Sequence, residues 1–287
     1  MTTDRARWAA GALGAALLLA GCGALSSSTG GSPATTAAGT PSANPVLTAY
    51  RNTVAAKTAS MSLTEDVTGS PSGPISITGT GQVDLATGDA SLSLAIPPVG
   101  SLSILLVKPV VYLQLPASLG VSLPAGKSWV SIDLNSPAVS SALGSSYAQL
   151  SNSADLSTQE LSYLQAVGAG GVTTVGPAIV RGVPTTEYAA TIDVGSLGNQ
   201  GNAAVRAALQ KLGNSLHLSS IPIHVWIDGQ GQVRQEDLTV AATSGSTAVS
   251  ADVTVQYYDF GAPVDLVAPP AGQVVDFSSI SGAPSGA

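Results

Sequence analysis

Residues 90–115 of this chain read ASLSLAIPPVGSLSILLVKPVVYLQL. Aliphatic and small polar residues alternate along this stretch, and prolines and glycines divide it into short runs. Because successive side chains of a strand point to opposite faces of a sheet, this period of two predicts strands with one apolar face. Short alternating runs of this kind are typical of antiparallel strands joined by hairpins.

Similar runs lie on both sides of this stretch. They cover residues 61–67, 75–83, 129–134, 172–181, 183–193, 221–227, 232–243 and 248–258. Asp228-Gly229 gives a strong signal for a tight turn between two of the last strands. The pattern therefore predicts about ten strands in one long antiparallel sheet, which we expect to twist and curl strongly.

A few segments have a helical period instead. The first opens with Asn44-Pro45, a good N-cap followed by a residue that suits the first helical position, and extends to about residue 59. The others cover residues 137–150, 157–167 and 205–212, and Ser157 with Glu160 resembles a capping box. With no regular β-α-β alternation, we predict an α+β domain whose helices cover one face of the sheet.

The residues at the N-terminus are arranged as in a secretory signal peptide. Arg5 and Arg7 precede the apolar run 8–20, which is shorter than the roughly 20 residues that a membrane span needs. Leu19-Ala20-Gly21-Cys22 resembles the bacterial lipobox, which implies that the Cys22 thiol receives a diacylglycerol and becomes the first residue. The alternative is an ordinary secretory signal with an incidental cysteine.

The chain divides into four parts on these grounds. Residues 1–21 are the signal peptide, 22–43 the lipidated cysteine and a flexible tether, 44–277 one folded domain, and 278–287 a loose tail. We expect a protein anchored in the cell membrane by acyl chains, on the extracytoplasmic face. With a net charge of -7, the chain is not expected to bind nucleic acid.

No catalytic, metal or cofactor site is expected. Cys22 is the only cysteine, and His217 and His224 without a cysteine partner make a zinc site a poor prediction. His224 lies within an alternating run and is expected to be a partly exposed strand residue. No Gly-x-Ser-x-Gly elbow or phosphate-binding loop occurs. We therefore predict a protein that is not an enzyme.

Two pairs of carboxylates keep a hydrolase as a distant alternative. They are Glu65-Asp66 and Glu236-Asp237. Neighbours along a strand point to opposite faces, so neither pair converges by itself. Glu65 shares its parity with Leu63 and is expected on the more buried face.

Several segments together resemble the LppX/LprAFG family of mycobacterial and related actinobacterial lipoproteins, over residues 50–270. They are Gly81-Gln82-Val83-Asp84, Ile104-Leu105-Leu106-Val107-Lys108, Val110-Val111-Tyr112, Trp129-Val130-Ser131-Ile132-Asp133, Arg181-Gly182-Val183-Pro184-Thr185-Thr186, the Pro222 to Ile227 strand and Ala268-Pro269-Pro270. Residues 145–171 match no motif of that family.

The resemblance implies a half-barrel whose helices cross the concave face above an apolar cavity. It also implies an acylated lipid or glycolipid as the ligand, carried within the envelope, and an envelope transporter as a candidate partner. The lining residues expected for the cavity are Leu92, Leu94, Ile104, Leu106, Val111 and Leu113. A solid-core surface lipoprotein that docks a partner protein has nearly the same sequence pattern and stays as the alternative.

The anchor gives the first testable prediction. We expect Cys22→Ser to abolish acylation, because only a thiol can form the thioether, and the mutant protein to leave the membrane fraction. Fractionation of cells in high salt measures this. A mutant protein that still sediments with membranes would show that the anchor lies elsewhere.

Overall fold

The computed structural model describes residues 44–69, 73–136, 171–193, 220–244 and 247–279. These residues form a twelve-stranded sheet. Its strands are β1 (Thr58–Thr68), β2 (Ile75–Asp84), β3 (Ala90–Ile96), β4 (Gly100–Val107), β5 (Val110–Gln114), β6 (Trp129–Asp133), β7 (Val172–Val180), β8 (Val183–Asp193), β9 (Ser220–Asp228), β10 (Val233–Ser244), β11 (Thr247–Tyr258) and β12 (Val274–Asp276).

One α-helix, α1 (Pro45–Ala55), lies in the described part of the chain, together with short 3-10 helices at Ala117–Leu119, Ala271–Gln273 and Phe277–Ser279. None of these helices is long and apolar enough to cross a membrane. The predicted helices at 137–150, 157–167 and 205–212 lie outside the described residues.

The sheet consists of two runs of neighbouring strands joined in the middle. The order is β12-β6-β5-β4-β3-β2-β1-β11-β10-β9-β8-β7, so β12 and β7 form its two edges. β1 pairs with β11 from Ser60↔Tyr258 to Thr68↔Ser250 and thereby joins β2–β6 to β7–β10. All pairs are antiparallel except β12 with β6. The predicted large, mainly antiparallel sheet is therefore confirmed.

One face of the sheet carries the main hydrophobic core, and we call it the inner face. Its residues come from all the central strands and include Met61, Leu63, Ile77, Leu94, Ile223, Val225, Val253 and Val255. The cross-strand register aligns them: Leu63 lies opposite Gly79 on one side and Val255 on the other. The opposite side, the outer face, carries the intervening polar residues.

Helix α1 begins where the sequence predicts and packs on the inner face. The Asn44 side-chain oxygen accepts hydrogen bonds from the backbone nitrogens of Val46 (3.0 Å) and Leu47 (3.3 Å). The Thr53 hydroxyl accepts a hydrogen bond of 2.8 Å from the Val233 nitrogen and so ties the helix to β10. The helix ends at Ala55 rather than near residue 59, because Lys57 adopts a positive φ of 71° that an α-helix does not allow.

Strand β12 was not predicted from the sequence. It has only three residues, too few to show an alternating pattern, and it pairs in parallel with β6 through Val274↔Trp129. The chain reaches it after β11 by passing β1 and β2, where the Gly261 nitrogen donates to the Thr58 oxygen (2.9 Å) and the Asp265 nitrogen to Gln82 (3.4 Å).

Strands β2 and β3 approach closely at two glycines of the inner face. A Cβ at Gly79 would lie 2.6 Å from Leu94 Cδ2, so this leucine fills the position that a side chain would take. At Gly81 a Cβ would lie closer than van der Waals contact to the Ser91 carbonyl oxygen, which is backbone and cannot move aside alone.

We therefore expect Gly81→Ala to lower the free energy of unfolding by about 1–3 kcal/mol, the usual cost of overpacking. Gly229→Ala is the matched control, because a Cβ at Gly229 meets no atom within 4 Å and its φ is not positive. The control should be neutral or stabilising by at most about 1 kcal/mol. Denaturant unfolding measures both; equal effects would mean that the strands do not approach closely at Gly81.

Candidate ligand-binding face

The structure brings the six predicted lining residues together on the inner face. They are Leu92 and Leu94 of β3, Ile104 and Leu106 of β4, and Val111 and Leu113 of β5. The register pairs Leu92 with Ile104, Ile104 with Leu113, and Leu106 with Val111. They form one continuous aliphatic surface across three adjacent strands.

These six side chains differ in burial. Leu92, Leu94 and Ile104 are buried within the main core. Leu106, Val111 and Leu113 are half-buried. The aliphatic surface continues beyond them, because Val111 and Leu113 also pack against a small cluster made by Ile132 and Leu134. Exposure of the inner face therefore rises from β3 towards β5.

The inner face also carries a buried carboxyl at Glu65. Its residue is 1% exposed, as its parity with Leu63 predicts. Its cross-strand neighbours are Ile77 on β2 and Val253 on β11. Among the described residues, none forms a hydrogen bond with its Oε2 atom. Burial raises the pKa of Glu65 to about 7, because an ionised carboxylate loses its hydration there.

A second carboxyl, Glu236, lies on the same face and is 8% exposed. Its cross-strand neighbours are Val225 on β9 and Val255 on β11. Burial also raises the pKa of Glu236 to about 7. Because Glu65 lies opposite Val253 and Glu236 opposite Val255, the two residues flank β11 with roughly 12 Å between their Cα atoms, from ordinary strand spacing and rise.

The sequence predicts the burial of Glu65, but it does not indicate that Glu65 and Glu236 lie on either side of the same strand. Glu236 shares its parity with the apolar Leu238, and this signal would have placed it on the buried face. No local pattern indicates that β1 and β10 lie on either side of β11. The proximity of Glu65 to Glu236 therefore follows only from the sheet order.

The other two carboxylates, Asp66 and Asp237, point to the outer face, so the members of each pair lie on opposite faces, as the alternation along a strand predicts. Asp66 is exposed. Asp237 accepts a hydrogen bond of 3.0 Å from Gln235 Nε2. Burial raises the pKa of Asp237, and hydrogen bonds from Thr254 and Gln235 offset part of the rise. The carboxyls of the inner face thus lie among aliphatic residues, whereas Asp237 lies among polar ones.

His224 belongs to this polar outer surface. Its Nδ1 lies 2.6 Å from Glu187 Oε1, its side chain is 44% exposed, and its ring stacks on Trp226. This is the partly exposed strand histidine that the sequence predicts. His217 lies outside the described residues. Within the described ranges, no group of three or more His, Cys, Asp or Glu side chains is arranged to hold a metal ion.

Two depressions are lined by described residues. One of about 310 Å³ lies at the strand ends beside Arg181 and Arg234. The other, of about 270 Å³, includes Ser93, Ser103 and Val267 in its lining. The first lies at the lower end of the range of ordinary ligand pockets, about 300–1,000 Å³, and the second lies just below it. Neither is the large apolar cavity that the resemblance implies, so this cavity and the covering helices stay predictions.

Comparisons with known proteins give one relative by sequence and several by structure. No protein-family model matches the chain. An uncharacterized 31.2 kDa protein of Streptomyces griseus, from the rplA-rplJ intergenic region, is 30% identical over 129 residues. The match covers 43% of this chain and 40% of that protein, so the chain spans less than half the length of this relative.

The structural neighbours include two mycobacterial proteins. LprF from Mycobacterium bovis is 14% identical, with a TM-score of 0.42 over 79% of this chain and 95% of that chain. The lipoprotein LppX of Mycobacterium tuberculosis is 15% identical, with a TM-score of 0.43 over 79% of this chain and 100% of that chain. A LolA superfamily protein from Nitrosomonas europaea is 6% identical, with a TM-score of 0.30 over 77% and 93%.

LppX and LprF belong to the family that the sequence resembles, and their likeness to this chain is one of structure. At identities of 14% and 15%, it carries no information on ligands. The ligand of this chain has to be inferred from its own residues.

The two buried carboxyls give a prediction on pH. Their raised pKa values mean that the folded protein keeps protons that the unfolded chain releases, so the free energy of unfolding falls as pH rises from about 4.5 to about 7. We expect a loss of about 3 kcal/mol for each carboxyl. Glu65→Gln should remove the contribution of Glu65, so the free energy of unfolding of this variant should fall less as pH rises.

Denaturant unfolding between pH 4 and pH 8 measures this difference between the wild type and the variant. Asp66→Asn is the matched control, since Asp66 is the next residue of the same strand and is exposed on the outer face. Its profile should follow that of the wild type. Parallel profiles for the wild type and Glu65→Gln would contradict the buried, unpaired state of Glu65.

Proposed function

We propose that this protein is a lipid-binding lipoprotein without enzymatic activity. Cys22 anchors it through acyl chains to the extracytoplasmic face of the cell membrane. It binds an acylated lipid or glycolipid on the inner face of the sheet and carries it within the envelope, where a transporter is its candidate partner. The observation that carries the proposal is the aliphatic surface on β3–β5. Three of its six predicted residues, Leu106, Val111 and Leu113, are only half-buried.

The chemistry of this surface suits acyl chains. Leucine, isoleucine and valine side chains adapt to a disordered chain and offer it no polar group. Each buried CH₂ contributes about 0.8 kcal/mol, so a sixteen-carbon chain gains about 12 kcal/mol before costs. Ordering of the chain and its loss from the bilayer offset much of this gain. Binding is then modest and reversible, as a carrier requires.

The N-terminal segment supports a site of exchange close to the membrane. The tether that we predict at residues 22–43 consists mainly of small and polar residues. A flexible chain of this length has a root-mean-square reach of about 25 Å, so the domain would stay close to the lipids that it exchanges.

A solid-core module that docks a partner protein is the second candidate. The burial of Leu92, Leu94 and Ile104 fits a filled core as well as a lined cavity. The edge strand β7 also exposes Val175 (54%) and Ile179 (74%). An unpaired strand edge with exposed aliphatic side chains is a surface on which another chain can add a strand.

Leu106→Trp separates the two candidates. In a carrier, the larger ring fills space that the acyl chain occupies, so lipid that co-purifies with the protein should be lost while the melting temperature is kept. In a solid core, the ring overpacks the site and lowers the free energy of unfolding by about 1–3 kcal/mol.

Mass spectrometry of the purified protein and thermal unfolding measure the two effects. Thr78→Trp is the control, because Thr78 is exposed on the outer face. This variant should keep both the lipid and the melting temperature. A wild type that never carries lipid, together with a Leu106→Trp variant that melts several degrees lower, would refute the carrier proposal.

A further inference from the structure

Acyl-chain binding does not explain why a carboxyl lies at Glu65. Its cross-strand neighbours on the inner face are Ile77 and Val253, and its inner-face neighbours along its own strand are Leu63 and Val67. A polar group buried without a hydrogen bond costs free energy, and native proteins keep few of them. Glu65 Oε2 is such a group in the described structure. A ligand with a complementary polar group would remove the cost.

We propose that Glu65 binds an alcohol hydroxyl of the ligand, so that the ligand is a hydroxylated amphiphile whose hydroxyl lies beside its aliphatic part. This assignment rests on the proposed function, because it places a polar subsite on the face that takes the acyl chain. Glu236 offers a second carboxyl on the other side of β11 for a further hydroxyl of the same ligand.

The chemistry of the site favours a hydroxyl over a charged group. A phosphate or carboxylate of a ligand would be repelled by Glu65 in its ionised form. The cross-strand neighbours Ile77 and Val253 carry no positive charge that could offset this repulsion. An ammonium would pair with the ionised form only. A hydroxyl donates to a carboxylate and accepts from a protonated carboxyl, so it fits both forms. Both are populated near neutral pH, because burial raises the pKa of Glu65 to about 7.

Two probes that differ only in the donor test the subsite. Dodecanol carries a hydroxyl, and dodecyl methyl ether has the same chain without a donor. The complete chain is incubated with an equal mixture of both, and native mass spectrometry gives the ratio of bound alcohol to bound ether. The two probes partition differently into the membrane mimetic in which the protein is dissolved. This difference is the same for every variant, so it cancels when the ratios of two variants are compared.

We expect the ratio to be about tenfold higher in the wild type than in Glu65→Leu, the effect of one hydrogen bond to a buried carboxyl. Glu65→Leu should fold, since it replaces an unpaired polar group by an aliphatic one of similar size. Glu65→Gln should keep most of the ratio, because the amide oxygen still accepts. Asp66→Asn, on the outer face, should keep all of it.

The outcomes separate this subsite from the proposed function. Equal ratios in the wild type and Glu65→Leu, with both probes bound, overturn the hydroxyl subsite and leave lipid binding intact. A wild type that binds neither probe overturns lipid binding and the subsite together.

Discussion

The long antiparallel pairing of β1 with β11 is central to the whole sheet. It joins strands that are far apart in the chain and holds β2–β6 and β7–β10 in one sheet. Because side chains alternate along a strand, a shift of one residue in this register would turn Leu63 and Glu65 to the outer face. The continuity of the inner face from β3 to β9 therefore follows from this single pairing.

What the sequence predicts correctly is local. The alternation in residues 90–115 predicts β3, β4 and β5, and the Asn44 side chain forms the cap that its position indicates. The parity of Glu65 with Leu63 predicts its burial. The pairing of β1 with β11 has no local signal, so neither the sheet order nor the position of Glu65 beside β11 could be predicted. Strand β12 is too short for a periodic pattern, and its pairing is set by β6.

The carboxyls on the two faces of the sheet have different surroundings. On the outer face, Asp237 has a hydrogen bond from Gln235, and Glu187 lies against His224. On the inner face, Glu65 is more deeply buried, and its Oε2 has no hydrogen-bond partner in the part of the chain that the structure describes. Replacement of Glu65 by an aliphatic residue would remove the cost of its desolvation. A polar group that weakens the fold in this way is most simply explained by a role in binding, and it lies on the face to which we assign the lipid.

Photo-crosslinking can show whether a lipid occupies the inner face of the sheet. Cells that produce the complete chain take up a fatty acid with a diazirine in its chain and are irradiated, and peptide mass spectrometry locates the inserted carbon. We expect insertion at Ile104, Leu106 and Val111, which lie on the inner face. Insertion confined to outer-face residues such as Ser93 and Ser103, or no insertion at all, would contradict lipid binding on the inner face.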